Sequence, residues 1–109
     1  MNFRPDRKTK QLFEAILKLK TLDECRRFFR DLLTEAEIKE FANRWRVAQM
    51  LKNKIDYKTI EKETGMSSTT IARVQKWLTR GMGGYRFMLK RLGLDQVNSH
   101  HYTPTRLAV

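Results

Sequence analysis

Apolar residues recur at helical spacing along most of this chain, and in no segment do they alternate with polar residues over the several positions a half-buried strand requires. That single pattern predicts an all-α fold. Leu12, Phe13, Ile16 and Leu17 mark a first amphipathic helix from about Asp6 to Lys20. Thr21 stands three residues before Glu24, the spacing of a capping box, and Leu22, Cys25, Phe29 and Leu32 give the stripe of a second helix. The same signature at Thr34 and Glu37 starts a long third helix, from Thr34 to Lys52, carrying Ile38, Phe41, Trp45, Ala48 and Leu51 on one face. Val47 and Met50 add apolar groups elsewhere on its circumference, which predicts a central helix, wrapped by a second chain.

Beyond Asp56, a good N-cap, a short helix runs to Thr64 and is stopped by Gly65, which adopts left-handed backbone without a side-chain penalty. Ser67 or Ser68 caps the next helix, with Ile71, Val74 and Leu78 on its apolar side. The run Gly81-Met82-Gly83-Gly84 ends it, and Tyr85, Met88, Leu89 and Leu92 mark a last helix. The expected organisation is one all-helical domain over residues 1–94, with dimerisation helices at 1–52, a helix-turn-helix at 56–79 and a last helix at 84–93. The polar segment 95–109, with Pro104 and no periodicity, reads as a flexible tail.

Charge narrows the function. The 109 residues hold 23 Lys and Arg against 12 Asp and Glu, a net charge of +11, and the pI is near 10.2. A pI above about 9 is the footprint of a nucleic-acid-binding domain. Its distribution is sharper still, because Gly65 to Leu94 contains no acidic residue while holding Arg73, Lys76, Arg80, Arg86, Lys90 and Arg91. A mean hydropathy of -0.63 and the lack of a long apolar run argue against a membrane protein. The charged start MNFRPDRKTKQ lacks the apolar stretch of a secretory signal, and a lone cysteine suits a reducing compartment; both lead to the expectation of a cytoplasmic protein.

Between Tyr57 and Val74, the apolar positions Ile60, Met66, Ile71 and Val74 suit two helices locked at a steep angle through the Gly65 turn. Ser67, Ser68, Thr69, Thr70 and Arg73 then lie at the exposed start of the second helix, where hydroxyls bond bases or phosphates and Arg73 forks onto a guanine or holds an anion. Lys58 and Lys62 are the matching phosphate contacts, and Lys76 joins the DNA-binding residues. Glu61 departs from the pattern, since helix-turn-helix proteins more often carry a small residue there. A plain αα-hairpin is the bland alternative.

Other chemistry is thin. Cys25 lies in an apolar stripe with Phe28 and Phe29, as a buried core thiol would; His100 and His101 have no second ligand pair at metal-binding spacing; and the glycines at 81, 83 and 84 lack the P-loop's lysine-serine ending. Trp45 and Trp77 occupy helical apolar positions suited to a core. No catalytic or metal constellation emerges, so an enzyme is not expected, nor is a cofactor.

Over residues from about Leu32 to Leu92 the chain resembles the tryptophan-repressor superfamily, and within it the TrpR-like YerC/YecD branch. The resemblance rests on Leu32-Leu33-Thr34-Glu35-Ala36-Glu37, on Arg44-Trp45-Arg46, and on Gly65 through Arg73. It implies a six-helix, intertwined homodimer with one helix-turn-helix per subunit, binding double-stranded DNA at a pseudo-palindromic operator as a repressor, with an amino-acid biosynthesis operon as the suggested target. By resemblance, Thr34, Arg44 and Arg73 match the residues that grip tryptophan in the repressors that respond to it. The plain alternative for Arg44 is a solvated helix position or an ion pair with Glu40. Val74 stands where those repressors have glycine, and Trp77 where they have serine, so both side chains are expected to fill the indole pocket. Free tryptophan is therefore not the expected effector. The other class left open is a small architectural or interaction protein that binds DNA or RNA without sequence preference.

Overall fold

The computed structural model describes residues 2–94, and the expected tail at 95–109, with His100, His101 and Pro104, lies outside them. Six α-helices follow one another: α1 (Arg7–Ile16), α2 (Leu22–Leu32), α3 (Glu35–Lys52), α4 (Tyr57–Thr64), α5 (Ser68–Arg80) and α6 (Gly84–Arg91). The chain divides into two compact units between Phe41 and Ala42, within α3.

Local capping chemistry sets the helices of the first unit. The Asp6 carboxylate accepts from the Thr9 N–H at 2.8 Å and starts α1, and this bond holds the Asp6 carboxyl below its ordinary pKa. The helix ends at Ile16, four residues short of the expected Lys20. The reason is competition for amides. Lys18 and Leu19 tighten to bonds with the Ala15 and Ile16 carbonyls, and the Lys20 N–H donates at 2.8 Å to the Glu24 carboxylate, which belongs to the cap of α2. Thr21 Oγ1 completes that cap by accepting from the Glu24 N–H at 3.0 Å. At α3 the capping box is fully reciprocal, with the Glu37 N–H on Thr34 Oγ1 at 3.1 Å and the Thr34 N–H on Glu37 Oε1 at 2.9 Å.

Neither α1 nor α2 contains a buried residue. Leu17 and Leu22 are 81% and 80% exposed, and Phe13, Leu32 and Phe41 are about half exposed. Cys25 is half-buried rather than the core thiol expected from its stripe. The helical period was sound, but in a single chain the apolar stripes of this unit remain largely uncovered.

In the second unit the outcome reverses. Val47, Ala48, Gln49 and Met50 are four consecutive buried residues. Four in a row cover every side of a helical turn, so α3 passes here through the centre of its unit, as its several apolar sides predict. Around that turn pack Ile60 of α4, Met66 of the interhelical turn, and Ile71 and Val74 of α5, with Trp45, Leu51, Ile55 and Tyr85 partly buried against them. Leu78 and Leu89 are buried as well. Each aliphatic side chain taken fully from water contributes about 1.5–3 kcal/mol before conformational entropy is charged against it. Trp45 stacks on Tyr85 with ring centroids 6.1 Å apart, and that burial pushes the Tyr85 phenol above its ordinary pKa against the opposing charge of Arg44.

Three helix C-termini in this unit use left-handed backbone. Gly65 ends α4 at φ 71°, its N–H bonded to the Glu61 carbonyl at 2.8 Å. Gly93 (φ 69°) follows α6, where the Gly93 and Leu94 amides return to the Lys90 and Leu89 carbonyls in a Schellman pattern. The same pattern ends α3, with the Lys54 and Ile55 amides on the Leu51 and Met50 carbonyls, but its left-handed residue is Lys54, at φ 61°.

Gly84 tests the distinction between needed and incidental glycine. It opens α6 without positive φ, and a Cβ there meets nothing within 4 Å. Gly84→Ala is expected to stabilise the fold by about 0.5 kcal/mol, and Gly65→Ala, forced to positive φ, to destabilise it by about 1 kcal/mol. Urea denaturation of the two variants beside the wild type checks both signs.

Candidate nucleic-acid interface

The site begins with a turn three residues long. Gly65 reverses the chain, Met66 is buried at 9% exposure, and Ser67 caps α5. Thr64 holds the turn from the other side: its hydroxyl donates to the Ile60 carbonyl at 2.7 Å and accepts from the Met66 N–H at 3.1 Å. With Ile60, Met66, Ile71 and Val74 all in one core, α4 and α5 form the helix-turn-helix expected from their spacing. Glu61 does not prevent it, because that side chain is only partly buried. Glu63 instead reaches Arg46 at 3.8 Å, an ion pair at 20% and 35% exposure that ties α4 to α3.

On α5 the division of labour follows directly from 3.6 residues per turn. Ile71, Val74 and Leu78 face the core. Thr69, Arg73, Lys76 and Arg80, spaced i, i+4, i+7 and i+11, form a stripe of exposed residues away from it. Three of the four are cations, and the acid-free run from Gly65 to Leu94 leaves their field uncompensated locally. On α4, Lys58 and Lys62 are exposed and one turn apart.

The hydroxyl residues at the start of α5 separate into two groups. Ser67 is the cap: its Oγ accepts from the Thr70 N–H at 3.2 Å and lies 3.1 Å from Thr70 Oγ1. Thr70 is partly buried beside it, whereas Ser68 and Thr69 stand exposed in the first turn. The sequence could not separate these roles, because Ser67 and Ser68 are equally good N-caps and only backbone geometry chooses.

The residues matched by resemblance to an effector site are spread along the chain. Thr34 belongs to the first unit, where its hydroxyl is engaged in the α3 cap, while Arg44 and Arg73 are exposed residues of the second. Val74 is 2% exposed and is part of the core itself. Trp77 is half-buried, with the Lys76 ammonium 5.7 Å from its ring centroid. Among the described residues no cluster of three or more His, Cys, Asp or Glu could hold a metal ion, and no helix is long and apolar enough to cross a membrane.

A helix-turn-helix within six helices, with α3 buried at the centre of its unit, matches the family model described as Trp repressor protein over residues 7–93. The chain belongs to the Trp repressor family. This is a non-enzymatic family. The chain is 46% identical over 89 residues to the uncharacterised protein YerC of Bacillus subtilis (strain 168), covering 82% of this chain and 86% of YerC. Two crystal structures share its fold at a TM-score of 0.81 each. One is of a candidate Trp repressor from Staphylococcus aureus, at 39% identity over 86% of this chain and 93% of that one. The other is of a TrpR-like protein from Eubacterium eligens ATCC 27750, at 42% identity over 84% and 94%.

Electrostatics at the entrance to this Trp repressor-like helix-turn-helix are pH-dependent. The Asp56 carboxylate caps α4 by accepting from the Thr59 N–H at 2.8 Å, and hydrogen bonding from the Thr59 side chain, together with that backbone bond, holds its carboxyl below the usual range. A carboxyl whose pKa falls on folding stabilises the folded state fully above its unfolded value and loses that contribution as pH drops through its folded value. The stability gap between wild type and Asp56→Asn should therefore stay constant from about pH 8 to 5 and close below about pH 4, near and under the unfolded carboxyl value. Chemical denaturation of both proteins across that range reads it.

Proposed function

We propose that this member of the Trp repressor family is a sequence-specific transcriptional regulator, a repressor that binds a pseudo-palindromic operator as a homodimer. The observation that carries the reading is the exposed stripe Thr69, Arg73, Lys76 and Arg80 on a helix locked to its neighbour through the Gly65 turn. Such a helix fits the major groove. Ser68, Thr69 and Arg73 would meet base edges, Arg73 by bidentate donation to guanine, and Lys58, Lys62 and Lys76 would meet phosphates. Ser67 and Thr70 contribute by fixing the first turn, whose amides would face the DNA backbone.

Homodimerisation draws support from the first unit. Apolar side chains 45–81% exposed on α1 and α2 need cover that a single chain does not give them. A second copy exchanging the same helices would supply it, and would space two reading helices about 34 Å apart for successive major grooves. An amino-acid biosynthesis operon is the target suggested by family membership.

Val74 and Trp77 bear on the effector. Where tryptophan-responsive relatives have glycine and serine, this chain places a branched side chain in the core and an indole of its own one turn on. Even a few inserted methylenes cost a close-packed site about 1–3 kcal/mol, so a ligand indole has no room beside them. The reading heads are then held by protein side chains, with Arg44 and Arg73 released from gripping tryptophan and Arg73 left to DNA.

Selection from random double-stranded DNA should enrich a palindrome; no enrichment would favour a nonspecific binder instead. On the selected site, Lys58→Ala should weaken all sequences alike and flatten the salt slope by about one unit, whereas Thr69→Ala should relax preference at particular bases at a cost of about 1–3 kcal/mol.

The assembly and the effector have their own readouts. The melting temperature should rise with protein concentration, as for a dimer whose folding is tied to association, and sedimentation of a folded monomer at micromolar concentration would contradict it. L-tryptophan should give no saturable heat in calorimetry and leave operator affinity unchanged.

A further inference from the structure

The end of α3, the left-handed turn after it, the second half of α5 and the start of α6 enclose a cleft of about 460 Å³ that the DNA-reading stripe does not use. Lys52, Lys54 and Arg86 line it together with Gln75, over an apolar floor of Leu51 and Leu78. No carboxylate is among its lining residues. A neighbouring hollow of about 320 Å³ shares Lys52 and Arg86 and adds Lys90. Three cations thus line the cleft and a fourth the hollow beside it, where each raises the electrostatic cost of its neighbours. Thr79 also borders the cleft, but its hydroxyl proton is engaged with the Gln75 and Lys76 carbonyls at 3.0 and 3.3 Å, which leaves the Gln75 amide as the neutral donor.

Two features indicate that this clustering is more than a solvated surface. Lys54 occupies the left-handed position of a Schellman turn at φ 61°, a place where glycine, as at Gly93 after α6, carries no Cβ penalty. A charged side chain is kept at the cleft against a backbone cost. Arg86 stands in the first turn of α6, where the helix dipole disfavours a cation. The pair Lys52 and Lys54 complements the C-terminal end of α3, but no such account covers Arg86.

We propose that this cleft binds a small organic polyanion, a phosphorylated or polycarboxylate metabolite with at least two negative charges. Lys52, Lys54 and Arg86 hold its charged groups, the Gln75 amide donates to it, and Leu51 and Leu78 meet its carbon skeleton. The volume lies within the range of small-molecule sites, about 300–1,000 Å³, and is too small for a folded partner. Binding here is independent of the DNA reading above and is tested without DNA.

Pyrophosphate and citrate serve as probes for the two chemistries, in calorimetric and thermal-shift titrations of the full chain at about 150 mM NaCl, where diffuse surface attraction is largely screened. The expected result is saturable binding of at least one probe, weakened tenfold or more by Lys52→Gln or Arg86→Gln and unchanged by Lys10→Gln on α1. Tighter pyrophosphate than citrate assigns the phosphorylated class, and the reverse the polycarboxylate class. Lys54→Gly should raise the melting temperature of the free protein while weakening the probe, a divergence that a purely structural lysine would not give. Absence of saturable binding, or equal loss in Lys10→Gln, overturns the proposal. So does a lowered DNA affinity with a flatter salt slope in Lys52→Gln when neither probe binds, which would make the cleft a seat for DNA phosphate. Loss of operator binding by the wild type alongside intact probe binding would instead remove the regulator reading and leave this site standing.

Discussion

Burial of one turn of α3, Val47 to Met50, is the interaction on which the second unit depends. A surface helix needs one apolar stripe; this turn is covered on all sides, so α4, the Gly65 turn and α5 are placed by what packs on it. Ile60, Met66, Ile71 and Val74 arrive from three successive segments, and the angle between α4 and α5 follows from satisfying all four at once. A loosened α3 turn would therefore blur the position of α5 itself. The Arg46–Glu63 pair adds geometry more than energy, since partly exposed ion pairs contribute little.

The charge distribution works because α5 serves two demands on opposite faces. Its core face carries aliphatic groups, and its outer face carries Thr69, Arg73, Lys76 and Arg80 with no acidic residue near in sequence. Self-repulsion among these cations is a standing electrostatic cost, offset by hydrophobic burial on the other face. Under the proposed regulator reading, this basic surface is what would meet nucleic acid.

Family membership is carried by the arrangement of the helices. The helix-turn-helix and the six-helix order follow the Trp repressor pattern. Val74, 2% exposed, is one of the core side chains on which that pattern is packed here. A small molecule held in the proposed cationic cleft beside Lys52 and Arg86 would leave this core untouched.

The sequence by itself determined that there are six helices, the caps at Thr21, Thr34 and Asp56 and the position of the glycine turn, because these depend on contacts within four residues: Thr21 with Glu24, Thr34 with Glu37, Asp56 with Thr59, Gly65 with Glu61. It also showed the acid-free run from Gly65 to Leu94 with its basic residues, which is read directly from residue identity. Tertiary structure decided the rest. Only packing shows that Val47 to Met50 are covered all round while Leu17 and Leu22, with equally good helical spacing, stay exposed, for periodicity names a face and not what lies against it. Competition for the Lys20 amide, which shortened α1, depends on a Glu24 side-chain conformation that no spacing rule specifies. Lys54 looks like any solvated lysine in sequence, and its left-handed backbone and its place beside Arg86, some thirty residues on, exist only once α3, α5 and α6 have folded together.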